Sequence, residues 1–202
     1  MARIPLFSLE TCTPEQRRIY EKIVSGPRGA LVGPLRAALH SPELADRWQR
    51  LGEFLRFGTC LPPRLNELAI LVTARRWNAQ LEWQIHADAA RRAGLSEAVI
   101  EAIRVAAPPL FADADEGMIY DYCRELQQFG QVGDAAYGAV RERFGVAGVV
   151  ELTALAGYYT MVAMTLNAHH IELERTPELD SPGRLTDLPP GASGIAPTEN
   201  KL

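Results

Sequence analysis

Between Thr13 and His169 the apolar residues recur at helical spacing, and runs of β-branched residues alternating with period two are scarce. Ala, Leu, Glu and Arg dominate, residues that lose little side-chain freedom in a helix. The pattern predicts an all-α chain of about seven helices, divided by clear stop and restart signals. Thr13-Pro14-Glu15-Gln16 supplies an N-cap, a first-turn proline and a glutamine three residues on, opening a helix over 16–24 that Ser25-Gly26-Pro27-Arg28-Gly29 stops. Segment 31–39 reads as extended chain or a short helical turn, and Ser41-Pro42-Glu43 opens a helix over 43–57. Pro62-Pro63 restarts the chain, and Leu65, Leu68, Ala69, Leu71 and Val72 give the next helix its apolar stripe. Gly94 and Ser96 then form a C′ glycine and an N-cap for a helix over 97–105. Further helices are expected over 113–129, 134–144 and 146–169.

The 202 residues can bury one substantial core, and residues 1–175 read as a single helical domain. From 176 to 202 the composition turns to Pro, Gly, Ser, Thr and Asp with hardly any periodic apolar residues, so this tail cannot build a core of its own. It is expected either disordered or extended, with an extended path over a neighbouring subunit favoured. The net charge of −4 is spread along the chain, without the clustered cationic face that neutralises phosphates, so nucleic acid is not expected as a partner. No unbroken apolar run reaches the ~18 residues of a bilayer span, and the first residues lack the pattern of a secretory signal. No membrane association and a cytoplasmic location are therefore expected. Cys12, Cys60 and Cys123 fit a reducing compartment, being odd in number and widely spaced, and form neither a zinc knuckle nor a C-x-x-C pair.

An offset of 84 residues sets Glu67-Leu68-x-x-Leu71 against Glu151-Leu152-x-x-Leu155 and His86 against His170. A duplication of two helical units stays open on this echo. The second copy would have lost the acidic partner, because Leu166 falls opposite Glu82.

The chemistry-bearing stretch is 61–101. Glu82 and His86, at i and i+4, lie one turn apart on the same helical face and can meet. A carboxylate beside an imidazole favours its protonated form and fixes its tautomer, which tunes a general acid/base pair toward neutral pH. Pairs of this kind are commonly solvated salt bridges of little consequence. Here the surroundings are strongly apolar, Trp83 adjoins the pair, and Glu67 lies one helix earlier. A straight helix would hold Glu67 roughly 28 Å from His86. Glu67 can join the pair only if the chain turns between them, and Arg76-Trp77-Asn78 is the expected break, with Asn78 as N-cap. Glu82, His86, His169 and His170 carry ligand atoms, but only the i, i+4 pair is secured locally, so no metal and no cofactor is expected.

The arginine-rich approach, Glu67-Leu68-x-Ile70-Leu71, the turn, Glu82-Trp83-x-x-His86 and Gly94-Leu95 resemble the carboxymuconolactone decarboxylase and alkylhydroperoxidase D-like families, as does the later run FGVAGVVELTALAGYYTMVAMTLNA. The resemblance covers most of residues 40–170. It implies an all-helical bundle of the alkylhydroperoxidase D type, a site on paired helices, a small-molecule substrate, and assembly into trimers or hexamers. The peroxidase branch carries a glutamate, two cysteines and a histidine; at that spacing this chain has Glu67, Ala79, Glu82 and His86. Both ends match and both cysteines are replaced, which removes the thiolate and its resolving partner.

Three readings follow. The decarboxylase branch implies a cofactor-independent lyase on a small carboxylated or lactone-type substrate. His86 is then the acid or base, Glu82 its tuning partner and Glu67 the end of a proton relay, with Arg64 or Arg75 binding a substrate carboxylate and Trp83 and Tyr158 lining the pocket. The second reading is a thiol peroxidase, which needs chemistry from Cys60 or Cys123; Cys60 reads first as a buried, inert thiol. The third is a non-catalytic oligomeric binding protein.

Overall fold

The computed structural model describes residues 2–171, 177–180 and 185–193. Eight helices are found among them: α1 (Pro14–Ser25), α2 (Leu35–Ala38), α3 (Pro42–Phe57), α4 (Pro63–Trp77), α5 (Gln80–Arg92), α6 (Glu97–Arg104), α7 (Ala114–Phe129) and α8 (Asp134–His169). The local signals explain most boundaries. Thr13 and Gln16 close a reciprocal capping box on α1, Ser96 caps α6, and Asp113 caps α7 through the backbone N–H of Asp115. The two helices expected over 134–144 and 146–169 run on through a break at Gly145, whose φ of 70° and ψ of −175° lie outside the helical region.

Helix α4 is the centre of the fold. Eleven consecutive residues, Leu65 to Arg75, are buried, and α5, α7 and α8 pack around them. An element buried on all sides has little need of an amphipathic stripe. The polar members of this run, Asn66, Glu67, Thr73 and Arg75, must then be satisfied inside the protein. Helix α8 contains a stretch long and apolar enough to cross a bilayer, which a reading of unbroken apolar runs missed because polar residues punctuate it. Half of that stretch is buried here as a core helix.

The tail takes a different path from the one expected of it. Its described residues lie on the chain's own helices: Leu179 and Leu188 are buried, Thr186 donates its backbone N–H to the Arg76 carbonyl, and Ala192–Ser193 (β2) pairs in parallel with Leu110–Phe111 (β1). The remaining tail residues fall outside the described part of the chain. The 84-residue echo does not extend to the backbone. The turn at Asn78 falls opposite Val162, in the middle of an unbroken helical stretch, and His170 is an exposed residue ending α8.

Candidate active site

Residues Glu67, Glu82 and His86 reach one place because the chain reverses between α4 and α5. Asn78 makes that turn, but not as the N-cap expected of it. It sits in the left-handed region (φ 48°, ψ 42°) as the C-cap of α4, with its N–H bonded to carbonyls of the last turn, and Ala79 takes the N-cap position of α5. Asparagine tolerates this conformation better than other non-glycine residues. After the reversal Glu67, in the first half of α4, meets His86, in the second turn of α5. His86 Nδ1 lies 2.6 Å from Glu67 Oε2, both residues being buried. With Glu67 ionised, Nδ1 donates and Nε2 remains as the nitrogen able to exchange a proton with a ligand. Tyr159 packs edge-on to the imidazole at 4.9 Å and limits its rotation.

His86 and Glu82 line a cavity of ≈ 50 Å³ together with Arg28, Arg56, Tyr158 and Tyr159; its other walls are apolar. Glu82 is only 2% exposed, and neither carboxyl oxygen has a hydrogen-bond partner. Burial raises its pKa well above the usual carboxylate range. Burial therefore favours its neutral form, which carries a proton it can donate. Burial likewise raises the Tyr158 and Tyr159 hydroxyls, so both keep their protons. Arg28 Nη2 approaches Tyr158 Oη at 3.4 Å. Gly52 on α3 makes room for this meeting, since a Cβ there would collide with both the Tyr158 hydroxyl and the Arg28 guanidinium.

Residues 42–116, which span α3 to the start of α7 and so hold Glu67, Glu82 and His86, match the carboxymuconolactone decarboxylase family. Over that segment the chain is similar to the carboxymuconolactone decarboxylase family. Solved structures agree on the fold. The alkylhydroperoxidase AhpD core of an uncharacterized peroxidase-related protein from Ralstonia eutropha JMP134 superposes with a TM-score of 0.68 at 15% identity, covering 85% of this chain and 91% of that one. An uncharacterized peroxidase-related protein from Silicibacter sp. TM1040 gives 0.67 at 15% identity over 84% and 90%. An AhpD-type protein of unknown function from Agrobacterium tumefaciens gives 0.59 at 14% identity over 72% and 100%. No curated protein matches in sequence.

Within this fold, the remaining residues expected at the site divide. Tyr158 lines the cavity. Arg64 does not; it pairs with Asp113 at 2.5 Å and with Glu116, tying α4 to the start of α7. Arg75 is buried beneath the tail, bonded to Asn78, to Thr186 at 2.8 Å and to Asp180 at 3.0 Å. Trp83, fully buried, turns away from the cavity and donates its indole N–H to Glu178 of the tail. Adjacent residues of a helix point about 100° apart, which here turns Trp83 to the tail while Glu82 faces the cavity. Sequence reasoning had passed over Arg28 and Arg56, which belong to the segment after α1 and to α3. Cys60 is exposed rather than buried, and partial desolvation together with a hydrogen bond to Glu151 raises its thiol pKa. Among the described residues no group of three or more His, Cys, Asp and Glu is placed to hold a metal.

Proposed function

We propose that this protein is a cofactor-independent acid/base enzyme of the carboxy-lyase kind, acting on a small carboxylated or lactone-type substrate. The observation that carries the reading is the buried Glu67–His86 pair opening onto the same cavity as an unpartnered, neutral Glu82. A buried carboxyl whose proton is retained by burial, beside an imidazole held by a second carboxyl, is an arrangement suited to acid/base work. In the reaction, the bond between the substrate carbon and its carboxylate breaks, CO2 leaves, and the electron pair moves onto an adjacent carbonyl as an enolate. The Glu82 O–H donates a hydrogen bond to the enolate oxygen, where charge develops. The imidazolium of His86 then delivers a proton from Nε2 to carbon, with the Glu67 carboxylate stabilising the cation until that transfer. Solvent returns the proton, so the net change is RCO2⁻ + H⁺ → RH + CO2.

The peroxidase-related names of the structural neighbours favour a second reading, thiol-dependent peroxide reduction. Ala79 and Glu82 stand where that chemistry needs its cysteines, so it would fall to Cys60. We further propose a homo-oligomer, trimer or hexamer; the exposed apolar Leu44, Leu51, Phe54 and Phe57 of α3 are what favours a partner surface.

A depletion screen separates the catalytic readings. Wild type, His86→Ala and Cys60→Ser are incubated with carboxylated lactones, β-keto acids and, with a thiol reductant, small hydroperoxides. Turnover of a lactone or keto acid that His86→Ala loses and Cys60→Ser keeps supports the lyase. Thiol-dependent peroxide turnover lost in Cys60→Ser overturns it.

A further inference from the structure

Besides Glu82 and His86, the cavity is lined by two arginines from elements distant in sequence, Arg28 and Arg56. Several other arginines are matched to carboxylates, among them Arg47 with Glu43, Arg50 with Asp46, Arg64 with Asp113 and Glu116, Arg75 with Asp180, and Arg91 with Glu97. Arg28 and Arg56 are partly buried, and neither forms an ion pair among the described residues. Arg28 Nε is buried without any hydrogen-bond partner, and Arg56 has a ring contact to Phe57 at 5.2 Å. Partly buried cations without an anion are costly unless a ligand supplies one. Glu82 is the one carboxyl among the residues lining the cavity, and burial favours its uncharged form.

We propose that Arg28 and Arg56 form the anion-binding part of the pocket and restrict its substrates to small carboxylates, the pair acting as specificity-determining residues. The inference takes the location of the site from the proposed function, but does not depend on His86 turning the ligand over. A planar guanidinium fork matches a carboxylate in two parallel hydrogen bonds, which an amide of the same shape cannot reproduce. Gly52 fits this role, because the space its missing Cβ leaves is where Arg28 and the Tyr158 hydroxyl meet. The cavity's ≈ 50 Å³ has room for roughly three to five waters, so the ligand is small or enters with movement of the walls.

Binding of acetate, 4-oxopentanoate and furan-2-carboxylate, each against its carboxamide, tests this by calorimetry on the full chain. Wild type should bind at least one carboxylate about tenfold or more tightly than its amide, and Arg28→Gln and Arg56→Gln should each lose that preference. Arg28→Lys should restore part of it, and unchanged circular dichroism would show that the variants fold. His86→Ala should keep the discrimination while losing turnover, so the two proposals can fail separately. Equal binding of acids and amides, no carboxylate binding to wild type, or full discrimination in both glutamine variants would overturn the assignment.

Discussion

Helix α5 has two sides that treat buried polar groups in opposite ways. On the tail side the buried groups of α5 itself, Gln80 and Trp83, are answered, although the Nε atoms of the nearby Arg75 and Arg76 lack partners. The Gln80 amide donates to the Leu179 and Asp180 carbonyls and accepts from the Glu178 and Leu179 N–H groups, and the Trp83 indole finds Glu178. Arg75, one helix away, is held by three tail or turn residues. On the cavity side Glu82 is as deeply buried, yet both its oxygens are left without partners. A buried polar group without a partner costs about 1–3 kcal/mol, and a fold that satisfies such groups one turn away has the means to avoid that. The tail side is therefore read as structure and the cavity side as a site held ready for a ligand.

The comparison makes predictions that can be ranked. The largest effect should come from the tail side. Trp83→Ala removes a fully buried indole and its anchor to Glu178, and chemical denaturation should show a loss of about 3–5 kcal/mol. Gly52→Ala should come next. An alanine in mid-helix is normally favourable, but here its methyl displaces Tyr158 and Arg28, so overpacking of about 1–3 kcal/mol should accompany impaired carboxylate binding.

Glu82→Gln should do the reverse of Trp83→Ala and stabilise the protein, by about 1 kcal/mol at mildly alkaline pH. The sign follows from proton linkage. The folded-state pKa of Glu82 lies above the unfolded value of 4.5, so the native state holds a proton that the unfolded chain has released. Stability is full below pH 4.5 and falls as pH rises through the interval between the two values. The variant removes that slope, and melting temperatures measured across the range should diverge from wild type as pH increases. The smallest effect belongs to Cys60→Ser, an exposed thiol outside the cavity, which should stay within about 0.5 kcal/mol of wild type.

The parts of this arrangement that local chemistry dictates were legible in the sequence. The helix pattern, the capping box at Thr13, the break near Asn78 and the convergence of Glu67 with His86 follow from spacing and turn residues. Asn78 was placed at the right turn in the wrong role, because asparagine serves both as N-cap and in the left-handed C-cap conformation. The arginines were misassigned for a different reason. Arg64 and Arg75 lie close to the motif in sequence, but both face carboxylates on other elements, Asp113 and Glu116 for one and Asp180 for the other. Arg28 stands in a stretch that reads only as a helix stop, and no local pattern links it to α3 or α8. Its one sequence trace is Gly52, a glycine in the middle of an otherwise good helix, which hints at a close approach. The tail's path is set by pairings from Gln80 to Leu179, Arg76 to Asp187 and β1 to β2, all of them long-range.

The central claim is that Glu82 is a neutral, unpartnered acid, and an infrared difference spectrum of wild type minus Glu82→Gln at neutral pH addresses it most directly. The structure predicts a carboxylic-acid C=O band in wild type that the variant lacks, at a frequency marking a weakly hydrogen-bonded group. A difference spectrum containing only carboxylate bands would contradict it, placing a charged Glu82 in the cavity and removing the proton donor from the proposed reaction.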